Sequence, residues 1–294
     1  MILITGGSGQ LGDALVKICL SQGIAFKAVS RPEFDFEQPE TIAACFAAAK
    51  PDLVINAAAY TAVDKAEGDV APATAGNHTG PLALARLCEN AGILFIHVST
   101  DYVFDGNKGA PYVETDPTEP TGVYGATKRD GEEAILATAA QAVILRTAWV
   151  YAAHGKNFAR TMLTAGRKMP VLRVVADQRG TPTAATDLAA AILVIAAKIR
   201  ETGWRAEYRG IFHATGSGET TWHGFACAIF ESAAASGYTA PEVQGIRTED
   251  WPTPTRRPPD SRLDCGKLTR VFGVTLSSWR KTLPKIVSDL LLLE

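Results

Sequence analysis

Tyr124 and Lys128 stand four residues apart in Tyr124-Gly125-Ala126-Thr127-Lys128, near the middle of the chain. On a helix, residues with that spacing lie one above the other on one face, so a phenol and an ammonium would point into the same space. Such a pair can do proton chemistry. A phenol has a pKa of ~10, and an adjacent fixed positive charge favours the phenolate and brings that value down. The same spacing also suits a solvated helix face, so the surroundings must decide between the two. Upstream, the apolar run at residues 93–98 finishes in Ser99-Thr100-Asp101-Tyr102-Val103-Phe104-Asp105-Gly106. Hydroxyls emerging at the carboxyl end of a strand lie where open α/β sheets bind their ligands.

The elements that must position these groups begin at residue 2. Ile2-Leu3-Ile4-Thr5 breaks into Gly6-Gly7-Ser8-Gly9-Gln10-Leu11-Gly12, after which Leu11, Leu15, Ile18 and Cys19 recur at helical spacing. The pattern predicts strand, glycine turn, helix. Read as Gly7-x-Gly9-x-x-Gly12 or as Gly6-x-x-Gly9-x-x-Gly12, the turn lets the backbone approach a pyrophosphate at a helix N-terminus. That context points to dinucleotide binding. The second strand, residues 25–29, ends at Ser30 and Arg31, where a dinucleotide fold usually places an acid on the adenosine ribose. A hydroxyl and a guanidinium there suit a 2′-phosphate, predicting NADP(H) in preference to NAD(H), which stays possible. The other reading leaves Arg31 in a surface loop and gives the ribose to Glu33 or Asp35.

Asp52-Leu53-Val54-Ile55 runs into Asn56-Ala57-Ala58-Ala59-Tyr60-Thr61, a strand ending in small residues that leave room for a ligand. Residues 71–92 read as largely helical with a break near Gly80-Pro81, and His78 within them as a surface or boundary residue. After a loop at 109–121 comes the helix carrying Tyr124, running to about Ala140, and then the strand Val143-Ile144-Leu145-Arg146. Strand and helix alternate through residues 1–150, which argues a parallel sheet covered on both faces. Beyond Tyr151 the pattern is irregular: helices at 157–167, 186–201 and 222–236, strands at 171–175 and 210–213, and a proline-rich loop at 251–259 that cannot be regular structure. Residues 1–150 are expected to form the cofactor domain, with 184–203 packing on it, and 151–294 mainly a substrate-binding lobe.

Composition narrows the class. A chain of 294 residues with 47% hydrophobic side chains can bury a sizeable core, and a formal charge of -2 without a Lys/Arg-rich run gives no footprint for nucleic acid. The five cysteines are far apart, without metal-ligand spacing, and read as small core residues in a reducing compartment. With an apolar strand opening at Ile2, no export leader is expected, and the longest apolar run, residues 188–197, is too short to cross a bilayer. A cytoplasmic protein is expected, with no membrane partner.

Taken in order, the Gly-x-x-Gly-x-x-Gly turn, Asn56-Ala57-Ala58, Ser99-Thr100 and Tyr124-x-x-x-Lys128 resemble the extended short-chain dehydrogenase/reductases, which act mostly on nucleotide sugars. Within that superfamily, residues 57–67, 99–106, 146–151, 177–183 and 257–264 are similar to the dTDP-4-dehydrorhamnose reductase family. The resemblance implies a Rossmann-type doubly wound parallel sheet with a smaller C-terminal substrate-binding lobe. It also implies reduction of the C4 keto group of dTDP-4-dehydro-L-rhamnose by NAD(P)H, giving dTDP-L-rhamnose. Tyr124 would be the general acid; Lys128 would lower its pKa and bond the nicotinamide ribose; Thr100 would give the same oxygen a second hydrogen bond.

Besides Gly6, Gly9 and Gly12 of the turn, the implied cofactor wall takes in Gln10, Leu11, Asp35, Phe36, Ala58, Ala59, Tyr60 and Thr61, with Asp35 near the adenine. Thr100, Asp101, Tyr102 and Trp149 would hold the sugar nucleotide, and Arg257 its phosphates. Trp149 could equally pack a core at its strand's end, and Arg257 could be solvated. Some members bind Mg²⁺ through glutamates at a dimer interface. This C-terminus offers Asp289 and Glu294 but no acidic cluster, so no metal ligand is assigned and monomer or homodimer stays open. The alternatives are a 4-epimerase or a reductase of opposite facial selectivity, giving a 6-deoxytalose nucleotide, and a non-catalytic NADP-binding regulatory subunit.

Overall fold

The fold is seen in a computed structural model that describes residues 1–293. β1 (Ile2–Thr5), α1 (Gln10–Gln22), β2 (Phe26–Val29), α2 (Pro39–Ala49), β3 (Leu53–Asn56), α3 (Val70–Thr74), α4 (Gly80–Ala91), β4 (Leu94–Thr100), α5 (Val123–Thr138) and β5 (Ala142–Thr147) alternate as the pattern predicts, with α2 an addition to the expected elements. Further along come β6 (Val150–Tyr151), α6 (Phe158–Gly166), β7 (Val171–Val175), β8 (Arg179–Gly180), β9 (Thr183–Ala184), α7 (Ala185–Thr202), β10 (Gly210–His213), β11 (Thr220–Thr221), α8 (Trp222–Ala234), β12 (Glu242–Ile246), α9 (Gly266–Phe272) and α10 (Trp279–Leu292).

The central sheet has six parallel strands in the order β10-β5-β4-β3-β1-β2. The order reverses between β1 and β3, and open α/β sheets bind ligands at such a switch point. Successive residues of a strand face opposite sides. Ile2, Ile4, Leu53, Ile55, Leu94, Ile96, Val143 and Leu145 accordingly pack with α1 and α7 in one core, while Leu3, Val54, Phe95 and Ile144 meet α2, α4 and α5 in another. Both faces are covered, which is why these strands read as unbroken apolar runs. β10 extends the sheet beyond β5, so a strand from the irregular half is a sheet member.

A third core, around Tyr151, Leu163, Leu172, Phe225, Phe230, Trp279 and Leu283, gathers α6, β7, α8 and α10 into a smaller lobe. β7 pairs there with β12. The proline-rich loop carries no regular structure but is tied down: Thr255 Oγ1 donates to Val63 O, and Thr121 Oγ1 donates to Arg256 O just ahead of α5.

One break sits elsewhere than expected. Pro81 stands at the start of α4, and the irregularity falls just before it, in a single wide π turn at Ala75–Thr79 that takes the Gly80 N–H back to Ala75 O. Gly76 passes the Tyr60 backbone so closely that a Cβ on it would come within 2.9 Å of Tyr60 Cβ. His78, in this turn, is half-buried, as a boundary residue should be.

α5 is fastened to the sheet by a buried charge pair. Arg146 of β5 donates through Nε (2.9 Å) and Nη2 (2.6 Å) to the Glu132 carboxylate, with side chains 3% and 2% exposed. Removing one partner of such a pair strands the other charge in a dry interior. Glu132→Ala is therefore expected to lower unfolding free energy by about 3–5 kcal/mol in urea denaturation. A loss below ~1 kcal/mol, the usual worth of a surface pair, would show that α5 is not held this way.

Candidate functional site

At the carboxyl edge of the sheet a cleft of about 750 Å³ runs from the glycine turn to the start of the smaller lobe. Its floor is the turn after β1. Gly6 has φ +69°, a left-handed conformation open to glycine at little cost, and a Cβ there would lie 2.8 Å from Ala58 N. Gly9 caps α1 without a side-chain bond, leaving first-turn N–H groups for an anionic ligand. Gly12 serves packing instead. A Cβ on it would lie 2.0 Å from Gly6 O, so it lets the helix close on the turn, and it does not reach the cleft. Gly6-x-x-Gly9-x-x-Gly12 is thus the pattern the structure uses.

Gln10, Leu11, Ser30, Arg31, Asp35 and Phe36 all line this end. Ser30 Oγ accepts from Ser8 N–H at 2.9 Å, and the exposed Arg31 guanidinium stands 3.6 Å from Glu37. Asp35 accepts from Glu37 N–H. Glu33 pairs with Lys27 and lies off the wall.

The opposite side is the loop Ala57-Ala58-Ala59-Tyr60-Thr61. Its anchor is Asn77, fully buried in the wide turn. Asn77 Oδ1 accepts from Tyr60 N–H (3.0 Å) while Nδ2 donates to Tyr60 O (3.1 Å) and to Thr127 Oγ1 on α5 (3.1 Å). π turns cluster at functional sites, yet the residues around Asn77 read as ordinary helix in the sequence. Only the placement of a buried amide beside a cleft-lining loop reveals it.

Thr100, Tyr124 and Lys128 meet on the cleft's inner wall. Thr100 Oγ1 accepts from Tyr102 N–H (3.2 Å) and donates to Asp101 Oδ1 (3.0 Å). The Tyr124 ring meets Tyr102 edge-on at 5.6 Å. Here the expectation of a lowered phenol pKa is corrected. Desolvation pushes Tyr124 upward, with the Thr100 hydroxyl acting against it, and Lys128 is aimed elsewhere. Lys128 Nζ donates to Val98 O at 2.7 Å and lies 3.2 Å from His97 Nε2; burial pushes the ammonium down to about 8, with Glu132 opposing. Burial also raises the Asp101 carboxyl to about 6, against hydrogen bonds from Ser261 and Thr100.

Two expected substrate contacts sit differently. Trp149 lines the cleft and also stacks on Trp222 at 3.5 Å and 9°, so wall and packing roles coexist. Its φ of +48° is rare for a bulky residue, and strained backbone of this kind persists where surroundings over-determine it. Arg257 does not line the cleft: it pairs with Asp64 at 2.5 Å and is set over the Tyr102 ring at 5.8 Å, with Nη1 buried and without a hydrogen-bond partner among the described residues. Lys156, from the loop before α6, does reach the cleft.

Three buried polar atoms on this wall, Ser99 Oγ, Asp101 Oδ2 and Thr147 Oγ1, lack a hydrogen-bond partner among the described residues. Buried polar groups are normally satisfied, so these fit a polar ligand. Among the described residues no three His, Cys, Asp or Glu come together as a metal site; Asp289 pairs with Lys285, and Glu294 lies outside the described residues.

A parallel sheet with a glycine turn at its switch point, and a Tyr-x-x-x-Lys helix facing a strand-end Thr, define a dinucleotide-dependent reductase of the short-chain type. Comparison with known proteins agrees and goes further. The family model described as RmlD substrate binding domain matches residues 1–292. A dTDP-4-dehydrorhamnose reductase of Burkholderia thailandensis is 44% identical over 295 residues, covering 99% of both chains. The crystal structure of a dTDP-4-dehydrorhamnose reductase from Clostridium acetobutylicum superposes with a TM-score of 0.90 at 34% identity, covering 100% of this chain and 99% of that one. One from Bacillus anthracis, solved in complex with NADP, gives 0.88 at 29% identity, covering 98% of each. The chain belongs to the dTDP-4-dehydrorhamnose reductase family.

Proposed function

We propose that this protein reduces the C4 keto group of dTDP-4-dehydro-L-rhamnose with NADPH, giving dTDP-L-rhamnose. The observation that carries the proposal is one continuous cleft with the glycine turn at one end and Thr100, Tyr124 and Lys128 on its inner wall. The cofactor supplies the hydride. Gly6, Gly9, Gln10, Leu11 and the Ala58 to Thr61 loop, which line the cleft, would hold it, and Trp149, Asp101 and Tyr102 would enclose the sugar nucleotide beside it.

Tyr124 then supplies the proton. Its raised pKa keeps the phenol protonated at neutral pH, the state a reduction requires, and an alkoxide forming at C4 is basic enough to take that proton. Thr100 stands beside Tyr124 where a carbonyl oxygen must sit, and its hydroxyl can turn from Asp101 to growing negative charge. Lys128 places a cation against the ligand when protonated.

Incubating the protein with dTDP-4-dehydro-L-rhamnose and NADPH is expected to consume NADPH and give the rhamno-configured product by NMR. The 6-deoxytalo isomer would favour the opposite facial selectivity, and no consumption the regulatory subunit. Tyr124→Phe should slow turnover by about 10²–10⁴-fold while sparing NADPH binding; unchanged kcat would remove Tyr124 from the proton step.

NADPH preference rests on Ser30 and Arg31 at the adenosine end, with Arg31 held only loosely by Glu37 and free to turn to a 2′-phosphate. Arg31→Ala should lower kcat/KM for NADPH by about tenfold, as for one charged hydrogen bond of ~1.5 kcal/mol, and leave NADH unaffected. A wild-type preference for NADH would instead assign the ribose to Asp35.

A further inference from the structure

A polar rung crosses three strands of an otherwise apolar sheet. Register sets Thr5 of β1 beside Asn56 of β3, and Asn56 beside His97 of β4; all three are fully buried. Their side chains join end to end. The Thr5 hydroxyl donates to Asn56 Oδ1, Asn56 Nδ2 lies 2.8 Å from His97 Nδ1, and His97 Nε2 lies 3.2 Å from Lys128 Nζ. None of the roles assigned above uses His97.

The chain has a direction, set from one end. Ala58 N–H can only donate, and it donates to Asn56 Oδ1 at 3.2 Å, so the amide must turn its NH₂ to His97 Nδ1. With Nδ1 accepting, a neutral imidazole carries its proton on Nε2, facing Lys128. An ammonium has no lone pair to receive it. An amine does, while still donating to Val98 O. A charged Lys128 needs the reverse arrangement: Nε2 accepting, Nδ1–H donating to Asn56 Oδ1, and the amide turned so that Ala58 N–H loses its acceptor.

We propose that His97 is the positioning residue for Lys128, carrying its proton on Nε2 when Lys128 is an amine and on Nδ1 when Lys128 is an ammonium. The balance is one proton taken from solvent onto Lys128 Nζ, with the imidazole's own proton changing nitrogen and the ring neutral throughout. Because Ala58 lines the cofactor wall, charging Lys128 frees a backbone donor on that wall at the same time. Burial holds the imidazolium far out of reach, so tautomer exchange is the route left to the ring.

Most other charged groups packed around α5 are engaged elsewhere. Glu132, which favours the ammonium, is held by Arg146. Asp101 accepts from Thr100, Glu67 accepts the Val123 N–H at the start of α5, and Glu89 of α4 accepts the Ala140 N–H beyond its end. Lys65 pairs with Asp69. Tyr102 and Tyr124 stay protonated, on α5 itself Arg129 pairs with Asp130 and Glu133, and His78 lies on the wide turn and Arg86 on α4.

The catalytic consequence rests on the role given to Lys128 above, but the test does not need turnover. In cofactor-free protein labelled with ¹⁵N-histidine, two-bond ¹H–¹⁵N spectra should show His97 passing from the Nδ1–H to the Nε2–H tautomer as pH rises through about 8. Lys128→Met should hold it at Nε2–H throughout. Asn56→Asp, which accepts from both Ala58 N–H and Nδ1–H, should hold the proton on Nδ1 and move the alkaline limb of kcat to higher pH. A wild-type tautomer that ignores pH, or a switch that survives in Lys128→Met with the same midpoint, overturns the proposal whatever the substrate proves to be.

Discussion

The buried pair of Glu132 on α5 and Arg146 on β5 fixes the helix that carries Tyr124 and Lys128 against the sheet whose β4 strand ends in Thr100. Two charges in a dry interior are costly unless they pair, and here Nε and Nη2 of the guanidinium meet the carboxylate with short bonds while the group lies over the Phe104 ring. The pair therefore gives α5 little freedom to slide or turn. A phenol and an amine on one helix and a hydroxyl at a strand end can then share one wall of the cleft. The same carboxylate is the charge that favours the Lys128 ammonium against burial, so Glu132 serves both the anchoring of α5 and the charge balance at Lys128.

Cleft and lobe follow from how the chain leaves the sheet. Strand order reverses between β1 and β3, opening the crevice, and the glycine turn brings backbone rather than side chain to its floor. The loop after β3 is gripped by Asn77 from the wide turn that follows α3, and Tyr60 OH donates to Asp69 just ahead of that helix. Trp149 and Trp222 close the outer end, a strand-end residue stacked on the first residue of a helix in the smaller lobe. Gln10 reaches across the mouth, its Oε1 accepting from Asn157 Nδ2 at 3.0 Å, so glycine turn and lobe are linked directly.

What can be read from the sequence is what depends on near neighbours. The glycine turn, the Tyr124 to Lys128 spacing and the apolar strands are local patterns, and each appears where its residues lead one to expect. Asn56 and His97 cannot be assigned as a pair that way, because they meet only through strand register, 41 positions apart. Arg257 is separated from Asp64 by 193 positions, and an isolated arginine in a proline-rich loop carries no sign of which acid it will find. The shift on Tyr124 runs opposite to expectation for a related reason: spacing places Lys128 on the same helix face, but burial decides the phenol, and Val98 O and His97 take the amine.

In the proposed reaction this cleft delivers a hydride to C4 of the sugar while Tyr124 delivers the proton to its oxygen. Turnover with NADPH carrying deuterium at the transferred position, followed by NMR of the product, examines both halves of that step at the reacting carbon. The expected product is dTDP-L-rhamnose with the deuterium bound at C4. Product without the label at that carbon, or cofactor left unoxidised in the presence of the keto sugar, would contradict the mechanism.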